Sequence, residues 1–491
     1  MMSEKRFAFD EVNQELLAFL DDSPSSFHAV ANMVQMLEDA GLTRLKEGQP
    51  WSLEPGKGYY VTRNDSALIA FKIPRKDFTG FQIMASHSDS PVFKVKASPE
   101  MEVDKHYVRL NVERYGGMLC APWMDRPLSV AGRIVVQTGS GVCTKLVKID
   151  RDLLVIPNLA IHMNREVNDG YKYNAQKDML PLFACCGGGA KEPDRDVSCG
   201  KGADKAVSGG RDGAGKPEEP SKGALWRLIA REAGVDPKDI LDMDLLLYNR
   251  MKGTVLGLNG EFIASARLDD LQCAFASLKG FLAAVPAESV PVHCVLDNEE
   301  VGSTTRQGAA STFLKDVLMR ISSAMGRSQE EYLMALASSF MVSADNAHSV
   351  HPNQPDKADP TNRPYMNGGI VIKYSANQKY TTDAISGAIF RTICRRAGVP
   401  YQIFTNRSDM LGGSTLGNIS GTQVAVSTVD IGLPQLAMHS PYETAGAKDT
   451  AYLAEAAKVL FATAVRGNGD GSYELVWPEG QDSHNGLWQT L

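Results

Sequence analysis

The 491-residue chain has no apolar run approaching the roughly 20 residues needed to cross a bilayer, so no membrane partner is expected. Its eight cysteines (Cys120, Cys143, Cys185, Cys186, Cys199, Cys273, Cys294 and Cys394) form no CxxC pair and no dense framework. That excludes a disulfide scaffold and leaves reduced, incidental thiols as the expectation, although Cys185, Cys186 and Cys199 lie close enough in sequence to suggest a thiolate site. An HExxH motif is missing, which argues against the single-zinc peptidases that carry their ligands on a helix. A basic excess is missing too: 51 Lys and Arg stand against 58 Asp and Glu, for a net charge of −7, so nucleic acid is not expected as a partner. The opening MMSEKRFAFDEVNQELLAFL sets acidic residues where the apolar core of a secretory leader would sit, and a cytoplasmic protein is expected. The rest is ordinary for a folded chain: 43% hydrophobic, 22% charged, and long enough for two or three domains or one large domain with an insertion.

Along the chain the hydrophobic period changes. Leu16, Leu17, Phe19 and Leu20, then Val30, Met33, Val34 and Leu37, recur at helical spacing, and Ser23-Pro24 divides them into two helices. YYVTRNDSALIAFKI and GFQIMASHSDSP read as strands, the second reaching His87 and Asp89. From Val95 to about Met163 short strands and turns dominate, LLVIPNLAIHM among them. Residues 187–222 are almost all Gly, Lys, Asp, Pro and Ser, a composition too poor in apolar surface to offset ordering entropy, so a disordered loop is expected. After Gly260 apolar strands alternate with helices such as TTDAISGAIFRTICRRAGV and TAYLAEAAKVLFATAV, the signature of an α/β domain. The expected plan is an α/β catalytic domain in two parts, 1–92 and 248–491, interrupted by a β-rich insert at 93–247.

Five acidic or imidazole clusters sit where strands end, the place open α/β sheets keep for ligands. They are His87-Ser88-Asp89, Asp269-Asp270, Asp297-Asn298-Glu299-Glu300, Asp345 with His348 and His351, and His439. Taken singly each has an ordinary explanation: a hydrogen-bonded structural histidine, or an acidic pair at a helix start favoured by the dipole. Taken together they would repel one another in a partly dry cleft unless a divalent cation neutralised them. Mixed His and carboxylate donors suit zinc, with manganese or cobalt as substitutes, and two His with three carboxylates exceed what one open tetrahedral site needs. Two metals sharing a carboxylate and a water are expected. Of the adjacent Glu299 and Glu300, one would then ligate and the other take the water's proton.

Ordered motifs now add to this reading: SPSSFHAV (23–30), ASHSDSP (85–91), MDRPLSVAGR (124–133), NLAIHMNR (158–165), ARLDDL (266–271), DNEEVGS (297–303), SADNAHSVHPN (343–353), VIKYSANQKY (371–380), GGSTLG (412–417) and QLAMHS (435–440). In these the chain resembles the aspartyl aminopeptidase family of dinuclear zinc metallopeptidases, over nearly its whole length. The resemblance implies a central mixed β-sheet flanked by helices, with the β-rich insert serving dimerisation. It implies His87 and Asp345 on one zinc, Glu300 and His439 on the other, and Asp269 between them. Asp89 would orient His87, and Glu299 would be the general base and then the acid. His162 would reach the active site of a neighbouring subunit, and His348, Lys373 and Tyr380 would touch the bound amino acid.

The activity implied is removal of N-terminal residues from short peptides, preferably Asp or Glu, by a homododecamer of tetrahedral form built from dimers. A broad or neutral-residue preference is the alternative. A two-metal carboxypeptidase or deacylase would need a cation for a terminal carboxylate, from Lys373 or Arg407, and a noncatalytic scaffold would need a damaged site. The chain departs from relatives at Asp270, where Asn is familiar, and in the loop 187–222.

Overall fold

The computed structural model describes residues 6–186 and 223–478; the loop expected at 187–222 falls outside them. The described chain divides into two compact units. The first holds residues up to Phe93, Arg114–Trp123 and everything from Leu246; the second holds Lys94–Glu113 and Met124–Leu245. The stretch 114–123 therefore belongs with the first unit rather than with an uninterrupted insert over 93–247.

The first unit is organised by a nine-stranded sheet. Its strands are β1 (Thr43–Arg44), β2 (Gly58–Arg63), β3 (Ala67–Lys72), β4 (Phe81–His87), β5 (Val290–Leu296), β6 (Phe340–Ala344), β7 (Ile370–Tyr374), β8 (Tyr401–Thr405) and β9 (Ser427–Gly432). Their spatial order is β1-β2-β3-β5-β4-β6-β9-β7-β8. The four central strands β5, β4, β6 and β9 run parallel to their neighbours, while β3 and β7 join them antiparallel, so the sheet is mixed. Central strands covered on both faces must be apolar throughout, and β4, β5 and β6 are buried at every residue.

Alternate residues of one strand feed two separate cores. Met84 packs on one face with α1 (Phe9–Asp22), α2 (Ser26–Asp39), α3 (Leu268–Ala283) and α4 (Asp449–Ala462); Ile83 and Ala85 pack on the other with Phe313, Val317 and Ile321. In α1 the buried Val12, Leu16, Phe19 and Leu20 recur at the spacing of one helical face. Helices α3 and α4 approach closely because Gly280 faces Ala457: a Cβ at Gly280 would meet the Ala457 Cβ at 2.5 Å. A five-stranded sheet (Thr254–Leu256, Phe262–Ser265, Glu443–Gly446, Pro434–Leu436, Ala347–His348) completes the unit.

The second unit is β-rich, a six-stranded sheet with a helix at Ala224–Ala233. The strand expected through LLVIPNLAIHM is reduced to isolated bridges at Leu154 and Val155, and residues 158–163 are exposed, with a turn at 161–163. Among the described residues no helix is long and apolar enough to cross a membrane.

Candidate metal centre

The carboxyl ends of four neighbouring parallel strands supply the polar groups, in the crevice where such sheets bind ligands. β4 ends on His87 and continues to Asp89; β5 leads into Asp297–Glu300; β6 leads into Asp345; β9 leads on, past Pro434–Leu436, to His439. Asp269 comes from the approach to α3. Asp269 and Asp270 have non-helical backbone angles and the regular helix begins after them, so both sit at its N-terminal edge, where the dipole favours carboxylates.

These groups converge. His87, Asp269 and Asp345 can present ligand atoms within 4.8 Å of one another; so can Asp269, Glu300 and His439, and so can His87, Glu299 and Glu300. Asp269 belongs to two of these sets through different oxygens. Its Oδ1 lies 3.5 Å from His87 Nε2, which is itself 3.9 Å from Asp345 Oδ1. Its Oδ2 lies 3.4 Å from His439 Nε2, which is 3.4 Å from Glu300 Oε1. These separations are long for hydrogen bonds. Three of them, at 3.4–3.5 Å, are close to the edge of a tetrahedron with zinc–ligand bonds near 2.0–2.1 Å, which is about 3.3 Å, and the His87–Asp345 pair at 3.9 Å is wider. Asp269 Oδ1 and Glu300 Oε1 are also buried without a hydrogen-bond partner, as donor atoms aimed at a cation would be.

The electrostatics agree with that fit. Burial, then the repulsion of neighbouring carboxylates, pushes Glu299 up to about 8. Asp345 is pushed to about 6 against the pull of Lys373, and Glu300 well above its usual value. Burial opposes protonation of His87, yet Asp269 and Asp89 raise it well above the ordinary histidine value. Left alone, the cluster would have to take up protons; a divalent cation removes that need and returns the carboxylates to their charged form.

Two further carboxylates hold the cluster from behind. Asp89 lies beside His87 Nδ1, with its main-chain oxygen at 3.1 Å and Oδ1 at 3.3 Å. A proton on Nδ1 leaves the Nε2 lone pair for a cation held with Asp269 and Asp345. Asp89 also accepts the N–H groups of Glu299 (3.1 Å) and Glu300 (3.2 Å) and the Tyr115 hydroxyl (2.7 Å). Glu443 does the same for Asp269 and His439. Neither Tyr115 nor Glu443 carries a sequence signal, because their bonds run to main-chain groups or to residues remote in sequence.

Lys373 lies on an interior strand, β7 between β9 and β8, and the residue is 3% exposed. It donates to Asn346 O at 2.9 Å, lies 3.9 Å from Asp345 Oδ2 and sits 5.5 Å over the Tyr380 ring. Burial lowers its proton affinity, but Asp345, Tyr380 and Asp430 outweigh burial and hold it protonated. Phe404 packs between Tyr380 and His348, which is exposed. Asp430 anchors two flanking loops by accepting from Thr381 and from Thr415 of the GGSTLG turn, both at 2.6 Å. Arg407 is committed to Asp409, at 2.7 Å. His162 stands on an exposed turn of the second unit. His293 is buried against Ser277, and His28 against Ser25.

A model of the Aminopeptidase I zinc metalloprotease (M18) family matches residues 19–461. The chain belongs to the M18 family. As an M18 aminopeptidase it is a zinc-dependent exopeptidase, and its mixed α/β fold is that of the family. It is 45% identical over 457 residues to a "Probable M18 family aminopeptidase 2" of Clostridium acetobutylicum, spanning 92% of this chain and 98% of that one. Among solved structures it is similar to a chain in the cryo-EM structure of an Ape4 and Nbr1 complex, with 34% identity, a TM-score of 0.84, and coverage of 92% and 86% of the two chains. It is also similar to the S. cerevisiae mApe1 dodecamer, at 27% identity and TM-score 0.76, covering 92% and 97%.

Proposed function

We propose that this M18 aminopeptidase removes N-terminal residues from short peptides, preferring Asp or Glu, at a centre that takes two zinc ions. His87 and Asp345 would hold one, Glu300 and His439 the other, and Asp269 would serve both; manganese and cobalt suit the same donors. The observation that carries this is Asp269 turning one oxygen to each trio, at 3.5 Å from His87 and 3.4 Å from His439. When bound, zinc supplies Lewis acidity to the scissile carbonyl and lowers the pKa of water.

The chain's own residues supply the remainder. Glu299 stands beside His87 and Glu300 in the third potential donor group, its main chain fixed by Asp89. A carboxylate so placed accepts the attacking water's proton and returns it to the leaving amine. The free α-amine of the substrate is drawn to the same carboxylates, which makes the cleavage exopeptidic. Lys373 offers a protonated, desolvated ammonium to an acidic P1 side chain, with His348 and Tyr380 beside it. The apolar cluster of Ala347, Val371, Tyr380 and Phe404 next to Lys373 favours broad or neutral P1 specificity as the second reading.

His162 would enter from a neighbouring subunit of a dimer, and dimers would build a tetrahedral dodecamer whose chamber admits short peptides. The dodecameric S. cerevisiae relative supports that number. The test is a kinetic panel of Asp, Glu, Leu, Lys and Met aminoacyl substrates, free and N-blocked, after metal depletion and reconstitution. Fastest turnover of free Asp and Glu substrates with zinc is the expected result; cleavage of N-blocked peptides would overturn the exopeptidase mechanism.

A further inference from the structure

Glu443 opens the strand Glu443–Gly446, opposite Ser265 of the neighbouring strand that leads into Asp269. This register brings a carboxylate 174 residues away in sequence behind Asp269. Glu443 is 2% exposed, and its two oxygens are used separately: Oε2 accepts the Asp269 N–H at 3.0 Å and Oε1 accepts the His439 N–H at 2.8 Å. Both clamped residues belong to the trio completed by Glu300. His439 also holds a φ of 68°, in the left-handed region that a residue with a side chain keeps only where its surroundings fix it. Burial and the charge of Asp269 push Glu443 up to about 8, and the two N–H bonds offset part of that cost.

We propose that Glu443 is a positioning residue that sets Asp269 and His439 in register for the zinc they would share with Glu300. This rests on the dinuclear centre proposed above. It is the counterpart of Asp89, which fixes Glu299 and Glu300 by the same two-pronged contact to main-chain N–H groups.

Zinc binding to the full-length protein tests it, by competition against a chromogenic chelator for the wild type, Glu443→Gln and His439→Ala. Gln keeps the volume but turns an NH2 toward one of the two N–H donors. The wild type is expected to hold two zincs, and Glu443→Gln one tightly and one about 10- to 100-fold more weakly, the usual effect of losing a partner behind a metal ligand. Its activity should return at excess zinc, whereas that of His439→Ala should not. Two zincs held by Glu443→Gln as tightly as by the wild type would overturn the proposal. A lower melting temperature of the chelated variant with zinc binding unchanged would do the same. A wild type with a single zinc would instead remove the dinuclear centre itself, a failure distinguishable from the others.

Discussion

If Lys373 pairs with an acidic P1 side chain as proposed, replacing it with Met should separate recognition of that residue from catalysis. The ammonium is 3% exposed and spends one of its three donors on Asn346 O at 2.9 Å, leaving two for a substrate carboxylate. At about 4 Å and an effective dielectric of about 20, that pair attracts by about 4 kcal/mol. Desolvation of the substrate carboxylate takes back part of this, so removing the cation should cost about 3 kcal/mol, within the range seen when one partner of a buried charge pair is truncated. That is roughly a hundredfold loss in kcat/KM for Asp and Glu substrates. Leu substrates, which gain nothing from the charge, should change less than about tenfold on the same scale. Because Lys373 also lies 3.9 Å from Asp345, zinc content is measured alongside. An equal loss on Asp and Leu substrates with zinc intact would refute the reasoning and make Lys373 a support for Asp345.

Glu299→Gln should keep both zincs and lose about 10²- to 10⁴-fold in kcat, the size of a general acid–base contribution; zinc analysis with steady-state kinetics checks it, and an active variant would remove Glu299 as the base. Tyr115→Phe removes the 2.7 Å bond to Asp89 and should weaken zinc binding about tenfold with the fold intact, read by chelator competition and circular dichroism. Zinc at about a thousandfold above its Kd should stabilise the protein by about 4 kcal/mol per site, read as a rise in melting temperature that a chelator reverses. His293 concerns acid stability. Burial pushes it down to about 3, so the unfolded chain, with a histidine near 6.5, binds more protons between those values and stability falls as pH drops through that window. From pH 8 to pH 5 the loss from this residue is about 2 kcal/mol. Urea unfolding of chelated protein at the two pH values should show a shallower pH dependence for His293→Gln, and an unchanged one would contradict the buried neutral imidazole.

The α/β framework was legible because burial imposes a period: Val12, Leu16, Phe19 and Leu20 on one helical face, and β4 apolar throughout. His87, Asp269, Glu300, Asp345 and His439 were legible as strand-end clusters, and their convergence is what the ordered motifs implied. Glu443 and Tyr115 were not, since each acts through a tertiary register that no local pattern records. The segment 158–163 misled for a related reason: Leu159, Ile161 and Met163 alternate as a strand would, yet find no strand partner among the described residues and stay 52%, 47% and 74% exposed.

Anomalous scattering at the zinc edge from crystals of the zinc-loaded enzyme addresses the metal centre directly. Two peaks are predicted about 3.5 Å apart, one beside His87 and Asp345 and one beside Glu300 and His439, each next to a different oxygen of Asp269. A single peak, or peaks that leave Asp269 without a metal on one of its oxygens, would contradict the dinuclear centre.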